Sequence, residues 1–299
     1  MKRYQLLLAI VVISLSLIMD AEVAHSDEQP VEQPVAESAD AAAKELANPA
    51  GSLASLNVSF QYTEYTGDLP NSDDQDAWSI KFQPTLPFPV GDKGRNIIFR
   101  PAVTLLFDQP IFEPEKADFD DLDTNLGDIG FDMVYAGNAM KSKNEGFLWG
   151  FGTAGTFPTA TDDDVGGDQW RLGPELFGGI IRKWGLVGAL VNNQWNIGGS
   201  NDSSYSTLTA QYFYAIGLGN GWQLTSSPNI IYDWKADSDD ALTLPLGFGM
   251  AKTTKIGDQT WKFKLEVQKY VVQPDTFGSD WLVKLTVTPV INNPFVFYR

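Results

Sequence analysis

Trp222-Gln223-Leu224-Thr225-Ser226-Ser227-Pro228-Asn229-Ile230-Ile231-Tyr232-Asp233-Trp234 changes character on alternate residues. Trp222, Leu224, Ser226, Pro228, Ile230, Tyr232 and Trp234 fall on one face of an extended chain. Gln223, Thr225, Ser227, Asn229 and Asp233 fall on the other. A strand sends successive side chains to opposite faces, so this period of two marks a strand with one apolar and one polar face. Strands with an apolar face, aromatic ends and a polar reverse are the pattern of a transmembrane β-barrel.

The pattern recurs along the chain. It predicts twelve strands, with cores at 54–63, 77–89, 97–107, 126–136, 146–157, 170–181, 186–197, 205–218, 221–234, 241–251, 260–271 and 280–291. Each has the length a tilted membrane strand needs. An even number brings both termini to one side. The links alternate in length: 91–96, 182–185, 219–221 and 255–259 are short, with 137–145 the longer member of that set. The links at 64–76, 108–123, 159–168, 198–204, 234–240 and 273–279 are mostly longer. Short periplasmic turns and long outer loops are the barrel rule, which places both termini in the periplasm. The expected fold is all-β: a closed antiparallel transmembrane β-barrel of about 12 strands over residues 51–299, in a bacterial outer membrane.

Two segments precede it. Residues 1–26 read as a signal peptide, with Lys2 and Arg3 before an apolar stretch from Leu6 to Met19 that is too short to span a bilayer comfortably. Residues 27–50 are rich in Pro, Ala and Glu and read as a disordered acidic periplasmic linker, with a short helix expected at 41–46. A plain spacer is weighed here against a lumen plug or a tether to a periplasmic partner.

Composition narrows the chemistry. There is no cysteine, and the one histidine, His25, lies at the signal cleavage region. Ser-His-Asp, Cys-His and His-metal chemistry are therefore excluded from the mature chain, and no enzyme, cofactor or metal is expected. A net charge of −17 disfavours nucleic acid as a partner. Acidic residues gather in the long links (Asp73, Asp74, Asp76, Asp118, Asp120, Asp121, Asp162, Asp163, Asp164) and basic ones in the short turns (Lys93, Arg95, Lys141, Lys143, Arg182, Lys183, Lys255). Solvation explains the acidic loops, and divalent cations bridging to lipopolysaccharide phosphates are the sharper alternative.

Within the strands, large apolar side chains such as Phe82, Met133, Tyr212, Leu265 and Val283 mark the outward face. Charges of both signs mark the inward face, since they cannot meet lipid cheaply. Lys81, Arg100, Asp128, Asp132, Arg171, Glu175, Asp233, Lys264 and Glu266 are the expected lumen-lining groups, with Lys262 and Lys284 on the same face. They form either a salt-bridge network that fills the interior or a polar constriction that selects solutes. Glycines on that face (Gly150, Gly152, Gly173, Gly179, Gly247, Gly249) keep a lumen open or allow curvature. Prolines inside strands, among them Pro84, Pro101, Pro174, Pro228 and Pro245, demand bulges or lateral gaps in the ladder.

The order of motifs resembles a known family. Phe82-Gln83-Pro84-Thr85-Leu86-Pro87-Phe88, Arg100-Pro101, Leu126-Gly127-Asp128, Phe157-Pro158-Thr159, Leu172-Gly173-Pro174, Asn192-Asn193-Gln194-Trp195, Ser226-Ser227-Pro228, Asp233-Trp234, Pro245-Leu246-Gly247 and Asp280-Trp281 follow one another. This sequence is similar to the outer-membrane transporter family named for the "MetA-pathway of phenol degradation", over about residues 48–295. The resemblance implies a porin-like barrel for passive uptake of small aromatic or hydrophobic compounds, with no catalytic residues to carry over. A structural or adhesive barrel without an open pore is the alternative. Expected partners are outer-membrane lipid and lipopolysaccharide, the barrel assembly machinery and a small-molecule solute. The assembly signal, usually a terminal aromatic, would fall to Phe295 or Phe297, because the chain ends in Arg299.

Overall fold

The computed structural model describes residues 38–91, 94–142, 144–201 and 203–293. The signal peptide, Lys93, Lys143, Phe295 and Phe297 lie outside these residues. The strands, in chain order, are β1 (Ala54–Ser55), β2 (Val58–Thr66), β3 (Asp76–Phe82), β4 (Leu86–Val90), β5 (Arg95–Phe107), β6 (Gln109–Glu113), β7 (Asp118–Leu122), β8 (Asn125–Leu126), β9 (Ile129–Ser142), β10 (Glu145–Phe157), β11 (Gln169–Arg182), β12 (Gly185–Gly199), β13 (Ser206–Gly219), β14 (Trp222–Ser226), β15 (Asn229–Asp233), β16 (Leu242–Ile256), β17 (Gln259–Val272) and β18 (Gly278–Ile291). Helix α1 (Ala39–Ala47) precedes them.

Neighbouring strands pair antiparallel in chain order, and β18 closes onto β2. Three staves of the ring are broken strands that hold one register. Ser55 opposes Val290 and Val58 opposes Val287, so β1 and β2 are one stave on β18. Phe82 opposes Val103 and Leu86 opposes Phe99, so β3 and β4 are one stave on β5. Leu224 opposes Met250 and Ile231 opposes Thr243, so β14 and β15 are one stave on β16. With these joined, the ring has twelve staves. Closure leaves no edge strand, the condition for strands to cross a bilayer.

Alternation sets the faces. Leu176, Leu246, Phe248, Leu265 and Val283 stand exposed on the outside, up to 61%. Exposed apolar surface on this scale needs lipid against it. Lys252 lies 5.3 Å from the Trp222 ring, Lys141 5.1 Å from Phe147 and Lys269 4.9 Å from Trp281. These cation–aromatic pairs sit at stave ends, where basic side chains reach past the apolar belt.

Three features depart from the expected layout. The long link after β5 is not plain loop: β6 and β7 form a hairpin, with Phe119 against Phe277 at 4.8 Å. The link at 137–145 is not long, because β9 and β10 extend until Ser142 opposes Glu145. Gly137 and Asn138 read as turn residues but sit in the ladder. An added Cβ at Gly137 would come within 2.9 Å of the Trp149 ring, so glycine serves packing there rather than turning. Third, of the segment expected as a disordered linker over 27–50, residues 27–37 lie outside the described residues, while 38–50 hold the expected short helix, extended to Ala39–Ala47. α1 follows from five alanines, the best helix formers, and from the Ser38 Oγ that accepts from Ala41 N at 3.2 Å. Pro49 ends it.

Candidate functional site

α1 and the turn after it are fixed across the short-turn end of the ring. Gly221 N donates to Asp40 Oδ1, and Lys44 Nζ donates to Asn144 Oδ1 at 3.2 Å. Asn96 Nδ2 donates to the carbonyls of Ala50 and Gly51 at 3.3 and 3.4 Å. These bonds drive Ala50, 1% exposed, into an apolar cluster inside the ring: Ile98, Val134, Ala136, Leu148, Phe177, Ile181, Leu186, Leu190, Phe213 and Ala215. Gly150 makes room for Phe177, whose ring an added Cβ would meet at 2.1 Å. That glycine fills the interior rather than keeping it open, contrary to the expectation above.

Above the plug lies a cavity of about 400 Å³. One wall is apolar, made by Leu186, Leu190 and Phe213 from β12 and β13. The other carries Lys81, Lys262, Lys264, Lys284 and Arg100 from β3, β17, β18 and β5, among Asn57, Ser59, Gln61, Thr286 and Thr288. In the twelve-stave ring β3 lies six steps from β13, so Lys81 is across from Phe213, while β17 and β18 lie three and four steps from β13.

The charged groups sort into two clusters and two loop ties. Arg100 Nε meets Asp132 Oδ1 at 2.7 Å. Glu175, 1% exposed, lies within their electrostatic reach and accepts from Asn192 Nδ2 at 3.2 Å. Gly152 and Ala154 on β10 leave the space between these groups clear. In the second cluster Glu266, fully buried, meets Lys264 Nζ at 2.8 Å and Lys284 Nζ at 3.2 Å through Oε2. Its Oε1 accepts from Ser226 Oγ at 2.6 Å, Gln268 Nε2 at 2.8 Å and Ser227 N at 3.0 Å. Lys81 lines the cavity between the clusters. Arg171 instead lies over the Tyr205 ring at 4.1 Å. Asp128 and Asp233 are the ties. Asp128 precedes β9 and accepts from the backbone of Thr159, Ala160 and Gly167 at 3.0 to 3.1 Å, and Asp233 ends β15 and accepts from Lys235 N at 2.8 Å. Short acidic side chains at strand ends hold loop amides this way, so neither carboxylate is offered to the cavity.

One side of the cavity abuts a break in the ring. Between Leu224↔Met250 and Ile231↔Thr243, residues 225–230 and 244–249 form no ladder with each other. Pro228 and Pro245 fall there, each lacking an N–H. The orphaned β16 edge is satisfied from outside. Tyr212 Oη donates to Pro245 O at 3.0 Å and accepts from Gly247 N at 3.3 Å, while Tyr214 Oη donates to Gly247 O at 2.9 Å. Inside, Glu266 holds Ser226 and Ser227. A second proline break, at 83–85, is bonded on its β1–β2 side, where Gln83 N and Thr85 N donate to Asn57 O and Ser55 O at 2.9 and 2.8 Å, while toward β5 the ladder is interrupted between Phe82↔Val103 and Leu86↔Phe99, at Pro84 and Pro101.

No protein-family model and no curated protein matches the chain. Solved structures do. An outer membrane channel from Pseudomonas putida F1 superposes with a TM-score of 0.59 at 11% identity, covering 90% of this chain and 100% of that one. The chain folds as an outer-membrane β-barrel. The outer membrane phospholipase of Salmonella typhi matches with a TM-score of 0.35, 12% identity and coverage of 79% and 91%. OccAB3 of Acinetobacter baumannii gives 0.32, 9% and coverage of 80% and 99%. Nothing about this barrel follows from those looser matches.

Of the residues expected to line the lumen, Lys81, Arg100 and Lys264 lie along the cavity, and Asp132, Glu175 and Glu266 are buried in the two clusters. The sequence reading missed the apolar wall and the plug contacts. In 146–151 and 186–191 both faces are apolar, so alternation gives no sign of which one points inward. The tyrosine latch had a signal: Tyr212 and Tyr214, two residues apart, lie one stave from the strand carrying Pro228. Among the described residues no three acidic or histidine side chains converge as metal ligands.

Proposed function

We propose that the barrel is a non-enzymatic, porin-like transporter for the passive entry of small aromatic or hydrophobic compounds, with its short turns and plug in the periplasm. The apolar wall of Leu186, Leu190 and Phe213 inside the ring carries this reading. Porin interiors are polar and water-filled, and an apolar lining beside a polar one suits a solute with little to hydrogen-bond. The unladdered stretch beside Pro228 and Pro245 supports a sideways exit toward lipid, and the motif order of the phenol-degradation transporter family agrees with an aromatic solute. That the lumen drives no chemistry accords with a mature chain without histidine or cysteine.

The test is liposome swelling with full-length mature protein and a panel of phenol, a short fatty acid and arabinose. Phenol is expected to enter several-fold faster than arabinose. Equal rates, or faster arabinose, would contradict the reading. The plug favours a second reading, a closed structural barrel, and swelling with none of the three solutes would select it.

A further inference from the structure

The cationic wall is more than a framework of ion pairs. Of the five cations lining the cavity, Arg100, Lys264 and Lys284 are ion-paired. Lys81 and Lys262 have neither an ion pair nor a hydrogen bond among the described residues. Lys262 is only 9% exposed. An enclosed ammonium without a counter-ion is costly. Glu45, Asp132, Glu175 and Glu266 are the carboxylates at or beside the cavity, four against the five cations, which leaves one positive charge over. Glu45 is itself engaged by Ser52 N at 2.8 Å. This surplus sits in a chain of net charge −17.

The two lysines share one wall. Lys81 opposes Ser59, Ser59 opposes Thr286, and Thr286 opposes Lys264 across four staves, with Lys262 opposite Thr288 one inward position away. Ser59 and Thr286 share a hydrogen bond of 2.9 Å between them. Lys81 and Lys262 thus line the same cavity three staves apart, with hydroxyls between them; Phe213 lies six staves from Lys81 and three from Lys262, and Leu190 five and four.

We propose that the cavity binds an organic monocarboxylate bearing an aromatic ring or short apolar body. The carboxylate sits between Lys81 and Lys262, and the apolar body lies against Leu186, Leu190 and Phe213. The inference deepens the transport reading and rests on it only for passage, since binding is measured separately. A monoanion matches the single surplus charge. An inorganic anion would leave the apolar wall unused, and a neutral aromatic would leave the lysines unpaired.

Benzoate, benzyl alcohol and inorganic phosphate are titrated calorimetrically into the detergent-solubilised barrel, alongside phenol swelling assays. Benzoate is expected to bind at least tenfold more tightly than either other probe. Lys81→Gln and Lys262→Gln, singly and together, are expected to weaken benzoate at least tenfold in the double variant, while Lys262→Arg retains binding. Heat-modifiable gel migration shows that each variant is assembled, and the single variants stand if the double does not assemble. Benzoate binding no tighter than benzyl alcohol or phosphate, or unaltered by both single variants, overturns the proposal. Phenol swelling that persists in that case leaves the transport reading standing, while benzoate binding without phenol entry sinks that reading alone.

Discussion

Glu266 concentrates more of the lumen's order than any other side chain. Its two oxygens tie β17 to β18 through Lys284 and to the start of the ladder break through Ser226 and Ser227. Removing one member of a buried charge cluster strands the rest, at a cost of about 3 kcal/mol. Glu266→Gln is therefore expected to lower the urea midpoint in detergent by that free energy, and an unchanged midpoint would show the cluster to be incidental. A second residue works in the longer loops. Asp240 accepts from Thr276 N at 2.9 Å and Thr276 Oγ1 at 2.7 Å, bonds that hold its carboxyl below the ordinary value of 3.8. A carboxyl depressed on folding stabilises above its unfolded pKa, and that contribution is lost as pH falls through the folded one. The tie between 235–241 and 273–277 should thus persist at neutral pH and loosen only below about pH 4. Hydrogen exchange at Thr276 checks it, and loosening near pH 6 would count against it.

At the scale of elements, the β14–β15 stave and α1 are the two places where the barrel wall or mouth departs from a plain ladder. Tyr212→Phe with Tyr214→Phe removes the hydroxyls that satisfy Pro245 O, Gly247 N and Gly247 O. Each lost bond is worth about 1 kcal/mol. The double variant should exchange the Gly247 amide faster and admit phenol faster, with arabinose unchanged. Faster entry of both solutes would mean a generally loosened barrel and not a lateral gate. Deleting residues 39–50 takes Ala50 out of its apolar cluster and uncovers the short-turn mouth. Single-channel conductance is expected to rise several-fold, and an unchanged conductance would show that the constriction lies elsewhere. The staves were legible because a lipid-facing strand must alternate, and most predicted cores fall within the observed ones. Where that rule relaxes, reading failed. The β6–β7 hairpin is a separate two-stranded sheet outside the ring's ladder, and its Asp-rich stretch at 118–121 looks like loop. Gly137 was mistaken for a turn because its role is to clear Trp149.

At the largest scale the described residues form a closed ring whose interior is divided lengthwise and across. The plug and apolar cluster fill the short-turn part, and the cavity above has one oily and one cationic wall. Charge on the inward face was legible because ammonium and carboxylate groups cannot face lipid. Which charges pair was not, since Arg100–Asp132 and Glu266–Lys284 depend on which staves adjoin and in what register. The inner apolar wall was hidden for a related reason: Leu186, Leu190 and Phe213 look like any lipid-facing residues until the register assigns them inward. The central claim is that this wall, and not the width of the lumen, selects what passes. The most direct measurement is the ratio of phenol to arabinose entry in liposomes carrying Leu190→Asn with Phe213→Asn, both solutes measured on one assembled preparation. The several-fold preference for phenol is expected to be lost, the ratio falling to about one. A ratio equal to that of the unaltered barrel would contradict the account.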